Sequence, residues 1–143
     1  MRSWLLLTYR LPSEPSARRV YTWRKLKRLG AITIFDAVWV LPNTARTHEQ
    51  FQWLAAEVQE MGGEAMLWEA QPELAGQEEA LINQFRIQVE GMYRALLERM
   101  ERGEVELAAA GQEYQQIGQK DYFQSEAGLL VRERLLASRE DPQ

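Results

Sequence analysis

The chain has 143 residues, of which 45% are hydrophobic. A chain of this length and apolar content can bury a hydrophobic core, so wholesale disorder is excluded. It contains no cysteine, which excludes disulfides, thiolate metal sites and a cysteine nucleophile. Its net charge is −4, and the apolar run near its start is only three leucines long, which argues against a signal peptide or a membrane span there. We therefore expect a cytoplasmic protein without a membrane segment.

The first half of the chain alternates β-rich apolar runs with helical patterns. These patterns predict, in chain order, a strand over residues 3–11, a helix over 16–29, hairpin strands over 31–35 and 37–41, a helix from 44 to 61 and a strand over 64–70. Ser16 is the predicted N-cap of the first helix and Gly30 its end. Asp36 is the predicted hairpin turn, and Thr44 or Thr47 caps the second helix. The βαββαβ order predicts a ferredoxin-like sandwich over residues 1–71.

After Pro72 the pattern becomes purely helical. Apolar residues at steps of three or four predict a long helix ending near Gly103, a second helix over about 105–117, and a third over about 127–138 that presents Leu129, Leu130, Val131, Leu135 and Leu136. We expect this extension, residues 72–143, to pack on the first domain and its tail, residues 139–143, to fray. The fold class is therefore α+β, a ferredoxin-like βαββαβ sandwich followed by a C-terminal helical extension of about three helices.

Aromatic residues are frequent in both halves of the chain. Its five tryptophans are expected to pack in the core, three of them on strands (Trp4, Trp39 and Trp68) and two on helices (Trp23 and Trp53). The string of residues 120–123 interrupts the C-terminal helices. We expect its two aromatic residues to clamp those helices onto the sheet, with Lys120 and Asp121 at the surface.

Charge is distributed unevenly along the chain. Residues 1–30 contain eight Lys or Arg and one acid, and the remainder contains nine basic and twenty acidic residues. At about 100° per residue, Arg18, Arg24, Lys25 and Arg28 fall on one side of the first helix, with Tyr21 among them. A basic face with an aromatic residue suits contact with a phosphate backbone. The candidate nucleic-acid- or anion-binding residues are Arg10, Arg18, Arg19, Arg24, Lys25, Lys27 and Arg28.

The basic helix also has an alternative interpretation. It is equally typical of a solvated helix face that is paired with acidic residues of the C-terminal helices or of a second copy of the chain.

No constellation of catalytic or metal-ligating residues is found. His48 is the single histidine and has no second nitrogen ligand, so a zinc or other transition-metal site is not expected. Asp36 is better explained as a turn residue than as a base or metal ligand. The carboxylate pairs Glu78/Glu79 and Glu104/Glu106 have no companion histidine, and neither a nucleophile elbow nor a phosphate-binding loop is present. We expect no cofactor and no enzymatic activity.

Six segments of the chain resemble the N-terminal domain of the chromate-resistance protein ChrB. They are residues 4–12 (WLLLTYRLP), 15–18 (PSAR), 23–31 (WRKLKRLGA), 38–42 (VWVLP), 62–65 (GGEA) and 121–123 (DYF). The resemblance is dense from residue 4 to about residue 70 and weaker in the helical part.

The resemblance implies a role in chromate resistance, since ChrB-type proteins are associated with chromate efflux genes and are regarded as chromate-responsive transcriptional regulators. It also implies a module similar to that of the phenylacetate-pathway repressor PaaX and of the CRISPR adaptation endoribonucleases. Those enzymes place a metal-binding aspartate just after the first strand, where this chain has Tyr9, Arg10 and Leu11, which argues against a metal-dependent nuclease. Full-length ChrB proteins carry a further C-terminal domain, for which this chain has no room. If sensing needs that second domain, the resemblance implies that this chain binds DNA or a partner without sensing chromate.

Three functional hypotheses follow. The leading one is a DNA-associated transcriptional regulator, or an accessory to one, that uses the basic first helix. The second is a direct binder of chromate or another oxyanion such as sulfate, held by charge-assisted hydrogen bonds. The third is a non-enzymatic interaction module, because ferredoxin-like sandwiches leave sheet edges open and a charge-polarised chain is expected to form a homodimer.

Overall fold

A computed structural model of the chain describes residues 2–140. Its elements in chain order are β1 (Trp4–Arg10), α1 (Ser16–Leu29), β2 (Ile32–Ile34), β3 (Val38–Pro42), α2 (Ala45–Glu60), β4 (Glu64–Ala70), α3 (Gln77–Glu101), α4 (Leu107–Gly118) and α5 (Glu126–Glu140). The chain divides into two compact units, Met1–Gln77 and Glu78–Gln143. The packing of the helical extension on the first domain stays a prediction. Of the predicted frayed tail, Arg139 belongs to α5, and residues 141–143 lie outside the described residues.

The first unit contains a four-stranded sheet in the order β2-β3-β1-β4, with every neighbouring pair antiparallel. β4 pairs with β1 over its full length, from Glu64 opposite Arg10 to Ala70 opposite Trp4. α2 packs on β1 and β4, and α1 contacts α2. This strand order confirms the predicted ferredoxin-like α+β fold.

The core of the first unit follows from strand alternation and helical spacing. On β1, Leu5 and Leu7 point to the same face of the sheet and are completely buried. Each of the two helices contributes one apolar stripe to the core. The buried apolar residues of these stripes are Leu26 of α1 and Phe51, Leu54 and Val58 of α2. Two further apolar residues at the same helical spacing, Ala55 in α2 and Met61 just after it, are only half-buried.

The helix ends of the first unit are mostly those expected from the sequence. Gly30 ends α1 in the left-handed conformation, with φ of 79°. Thr44 caps α2 through a reciprocal pair of hydrogen bonds with Thr47, so both predicted capping threonines take part. The predicted N-cap of α1 is wrong: Pro15 occupies the cap position and Ser16 is the first helical residue, because the proline already holds the extended backbone that precedes a helix.

The β2–β3 hairpin turns at Phe35 and Asp36, whose φ angles are 54° and 57°. The turn is closed by the Ala37 amide, which donates to the carbonyl of Ile34 at 3.1 Å. Two successive residues with positive φ are the geometry of a tight hairpin turn with the right-handed twist of the strands. Asp36 is therefore a turn residue, as predicted.

The second unit packs three helices around its own core. The core consists of Val89, Tyr93, Leu96, Ala110, Ile117, Ala127 and Val131. Of the predicted apolar positions of α5, Val131 is buried and Leu135 is half-buried, but Leu129, Leu130 and Leu136 are 46–58% exposed. The prediction was wrong for these three leucines because they lie on flanks of α5 that point away from the buried stripe.

The segment between α4 and α5 holds the helical unit together. Asp121 accepts hydrogen bonds from the Tyr93 hydroxyl at 3.1 Å and from the Ser125 amide at 3.0 Å. The rings of Tyr122 and Phe123 pack against Phe85 of α3, with centroids 5.9 and 5.8 Å away. The prediction that Asp121 lies at the surface was wrong, since it is half-buried and joins α3 to the start of α5.

The tryptophans do not all pack in the core. Trp4 and Trp39 are buried, whereas Trp23 is 51%, Trp53 64% and Trp68 46% exposed. The expectation of core packing was therefore wrong for three of the five, because a large apolar side chain on an amphipathic element does not by itself specify which face it takes.

Candidate nucleic-acid interface

The solvent side of α1 presents a group of cations. Arg19, Arg24, Lys27 and Arg28 are exposed, and among residues 2–140 none of these four forms an ion pair. Two exposed aromatic residues accompany them: Trp23, at 51% exposure, lies among the cations, and Tyr21, at 45% exposure, lies at the border with the flank that contacts α2. We call these six residues the basic surface. Only Thr22 and Leu26 of the fourteen residues of α1 are buried, so most of the helix surface is available to polar and charged side chains.

Aromatic rings hold one of these cations in place. The Lys27 ammonium lies 5.7 Å from the centroid of the Trp23 ring and 5.9 Å from that of Trp39. Cation–π attraction at such distances contributes about 0.5–1 kcal/mol at an exposed site. Lys27 thus remains accessible to solvent, and the contact also fixes the exposed Trp23 ring beside it.

The other flank of α1 contacts α2 and the residue that follows it. Arg18 donates to the carbonyl of Met61 at 2.6 Å, and the Tyr21 hydroxyl donates to Glu57 at 2.5 Å. Lys25 pairs with the same carboxylate at 3.5 Å. The predicted basic face is therefore divided: Arg18 and Lys25 bind partners within the unit, and the remaining α1 cations face solvent.

The hydrogen bond between Tyr21 and Glu57 has an electrostatic consequence. The Glu57 carboxylate accepts a hydrogen bond from the phenolic hydroxyl, and this bond, with burial and the charge of Glu57 adding to it, raises the pKa of Tyr21 above its usual value of 10. A shallow cavity of about 500 Å³ beside these residues is lined by Ala17, Arg18, Tyr21, Glu57, Glu60 and Met61. Its wall thus contains two carboxylates and one guanidinium.

Arg10 is not part of the basic surface. It pairs with Glu64 of β4 at 2.9 Å, and the hydrogen bond and the charge of that carboxylate raise the pKa of Arg10 above its usual value. The cavity next to it, of about 210 Å³, is lined by residues of β1 and β4 and by none of α1. Of the seven candidate residues, the structure therefore groups Arg19, Arg24, Lys27 and Arg28, and it places Arg10, Arg18 and Lys25 in separate contacts.

Sequence reasoning missed two features of this site. The role of Glu57 could not be inferred, because it lies 36 residues from Tyr21 and meets it only through the packing of α1 on α2. The contact of Lys27 with Trp39 likewise depends on the fold. The contact with Trp23 had a local signal, since the two residues are four apart on one helix and hence neighbours on its surface.

The single histidine lies apart from these residues. His48 is half-buried in the first turns of α2 and lines a shallow cavity of about 770 Å³ together with Asn43, Thr44, Glu49 and Trp53. Within residues 2–140, no three His, Cys, Asp or Glu side chains are grouped as metal ligands. In the same part of the chain, none of the helices combines the length and apolar character needed to cross a bilayer.

These observations define a class of protein: a ferredoxin-like domain with a basic, aromatic first helix, followed by a three-helix unit. The chain belongs to the family described as Protein ChrB, N-terminal, whose family model matches residues 19–129. The match spans both units, so it includes α1 from Arg19 onward and the Asp121 segment.

The chain is also similar to a curated protein. The chain is 32% identical over 97 residues to Protein ChrB of Cupriavidus metallidurans, and the alignment covers 68% of this chain and 26% of that protein. The chain thus spans about a quarter of the length of the curated relative it matches. No solved structure matches the chain at a significant level.

Proposed function

We propose that this chain is a regulatory module associated with chromate resistance and that it binds DNA through the basic surface of α1. Membership of the ChrB family supports the regulatory role. The observation that carries DNA binding is the group of four exposed cations on one helix, none of which is engaged in an ion pair within residues 2–140. Arginine donates to phosphate oxygens in a planar fork, and the exposed rings of Tyr21 and Trp23 offer stacking surfaces beside them.

The salt dependence of DNA binding tests this proposal. Fluorescence anisotropy would follow a labelled duplex from the region upstream of the gene between about 50 and 200 mM salt, where phosphate contacts weaken steeply. We expect Arg24→Gln/Arg28→Gln to weaken binding about tenfold at low salt and to lower the salt slope by about two, one unit for each lost phosphate contact.

The matched control removes two arginines from another helix. Arg132 and Arg139 of α5 are also exposed and outside any ion pair within residues 2–140, so Arg132→Gln/Arg139→Gln changes the net charge equally and should leave the slope unchanged. Absence of binding by the wild-type protein at low salt contradicts the proposal, and so does equal weakening by both double variants.

Glu57 is expected to limit the affinity for DNA. It neutralises Lys25 and places a negative charge within a Debye length of the basic surface. We expect Glu57→Gln to strengthen DNA binding about threefold at low salt, because Lys25 is released and one repulsive charge is removed. Glu90→Gln is the control in the same anisotropy assay, since Glu90 is paired with Arg94 on α3 at 2.9 Å. Equal affinities for the wild type and Glu57→Gln would disprove this role of Glu57.

The arrangement of charges around α1 supports direct oxyanion binding less well than it supports DNA binding. The cavity next to Arg18 contains the carboxylates of Glu57 and Glu60, which repel a dianion such as chromate or sulfate. Arg18 and Lys25, the cations nearest to it, are already bound to Met61 and Glu57. We therefore do not propose an oxyanion site there. The absence of enzymatic activity stays a prediction from the sequence.

A further inference from the structure

The outer edge of β4 is open. β4 bonds to β1 along all seven of its residues, and within residues 2–140 none of its backbone groups bonds to another segment on the opposite side. The strand contains neither proline nor lysine, two devices that commonly block a sheet edge. It therefore presents a row of unpaired N–H and C=O groups that can template another strand.

Two large apolar side chains lie next to this edge on the same face of the sheet. Met66 is 57% and Trp68 46% exposed. The Trp68 ring is held in position, because its Nε1 donates to the Thr8 hydroxyl across the strand pair at 3.1 Å. An exposed apolar pair beside an unpaired strand edge is a surface typical of protein association.

We propose that a second copy of this chain pairs with this edge, β4 against β4, so that two four-stranded sheets become one continuous antiparallel sheet. A two-fold axis that passes between Leu67 and the Leu67 of the second copy pairs all seven residues of one β4 with all seven of the other. In that register Met66 lies opposite the partner's Trp68, and Trp68 opposite the partner's Met66. The four side chains then form one apolar cluster across the seam.

The charges of β4 fit this register. Glu64 falls opposite the partner's Ala70, and Glu69 opposite the partner's Ala65, so no two carboxylates face each other directly. Glu64 is in addition paired with Arg10 of its own chain at 2.9 Å. Like charges directly opposite each other destabilise a strand pair, and this arrangement avoids them.

The helix that covers β4 has, on the side of the edge, a flank without Asp, Glu, Lys or Arg. Glu57 points towards α1, and the residues 140–180° around α2 from it are His48, Gln52, Ala55 and Gln59. Since α2 packs on β1 and β4, this flank approaches its counterpart when the two sheets join. The flank contains no Asp, Glu, Lys or Arg, so the approach brings no pair of like-charged residues of these types together.

Sedimentation equilibrium of the full chain without DNA tests the dimer. We expect the wild-type protein to have twice the 16.7 kDa mass of one chain at tens of micromolar. Trp68→Lys should raise the dissociation constant at least about tenfold, because it places two cations in the apolar cluster. Trp53→Lys makes the same substitution at a 64% exposed tryptophan on the other flank of α2 and should leave the dimer intact. A wild-type monomer at these concentrations, or equal dissociation by both variants, overturns the proposal.

Cross-linking tests the register itself, and its result does not depend on DNA binding. The natural chain has no cysteine, so Met66→Cys and Trp68→Cys each introduce a single thiol. A disulfide needs Cβ atoms about 3.5–4.5 Å apart, which only directly opposite residues provide. Under mild oxidation of an equimolar mixture of the two variants, the mixed disulfide should greatly exceed the share that random pairing gives it, which is twice the yield of either homodimer. Yields in the random ratio, or no cross-link, would show that β4 does not pair in this register.

Discussion

Replacing Gly63 with alanine is expected to lower the free energy of unfolding by about 3 kcal/mol, the upper end of the range for inserting a methyl group into a packed site. A Cβ at Gly63 would overlap the carbonyl oxygen of Arg10 and lie 2.8 Å from Leu11 Cδ2 and 3.0 Å from Val58 Cγ1. A backbone oxygen cannot move aside as the end of a flexible side chain can. The substitution therefore has to displace β1 from the end of α2.

Urea unfolding followed by tryptophan fluorescence measures this effect in the first unit alone, since all five tryptophans lie between residues 4 and 68. Gly62→Ala is the adjacent control: its Cβ meets nothing within 4 Å, but its φ of +86° is unfavourable for alanine. That variant should lose about 1 kcal/mol through backbone strain alone. Equal losses for the two variants would refute the argument from close packing at Gly63.

The Gly62-Gly63 pair illustrates how much of the fold could be predicted from the sequence. The two glycines follow the predicted helix of residues 44–61, and each has a distinct role in the structure. Gly62 donates to the Gln59 carbonyl in the left-handed conformation, and Gly63 donates to that of Val58 at 2.9 Å. The end of the helix is a local property and was predictable. The contact of Gly63 with β1 is not local, and only the fold reveals it.

The strands were also predictable, because they are specified by local sequence signals. A run of apolar residues in β1 and a turn at Asp36 are local signals, and the βαββαβ order then leaves few topologies. Which face each tryptophan takes is a different question. Trp68 is on β4 as predicted, but its neighbour on the sheet face, Met66, is also exposed, because that part of the face is not covered.

The candidate site was predictable in composition and not in geometry. Periodicity placed Arg24 and Arg28 on one face of the first helix, and both are exposed in the structure. The same periodicity put Lys25 on that face, yet the structure turns it to Glu57 of α2. A charge pattern on one helix indicates which residues share a face. It does not indicate which of them meet an acid from another element.

The two proposals are compatible in space within the first unit. α1 and α2 contact each other, and α2 lies over β1 and β4. A two-fold axis perpendicular to the sheet at Leu67 keeps both copies of these helices on the same side of the joined sheet. The two basic surfaces then face the same direction, as two-fold related contacts with a DNA duplex require.

The second unit depends on a glycine at the start of α5, and Gly128→Ala is expected to lower its free energy of unfolding by about 2 kcal/mol. A Cβ at this position would lie 2.9 Å from both Cε2 and Cζ of the Tyr93 ring and 3.2 Å from its hydroxyl. Tyr93 is only 2% exposed, and its hydroxyl bond to Asp121 is among the contacts that fix the segment before α5. The ring must shift to admit the methyl group, and the shift weakens that bond.

Urea unfolding followed by far-ultraviolet circular dichroism measures this decrease in the free energy of unfolding. A second helical glycine provides a control for which the same substitution is expected to increase the free energy of unfolding. Gly91 lies in α3, is exposed, and has nothing within 4 Å of its Cβ position. Because alanine is the better helix former, Gly91→Ala should stabilise the protein by about 0.5–1 kcal/mol. Of the two glycines, only Gly128 has the Tyr93 ring within 4 Å of its Cβ position. If Gly128→Ala also proved stabilising, the Tyr93 ring would not be held as closely over α5 as the structure indicates.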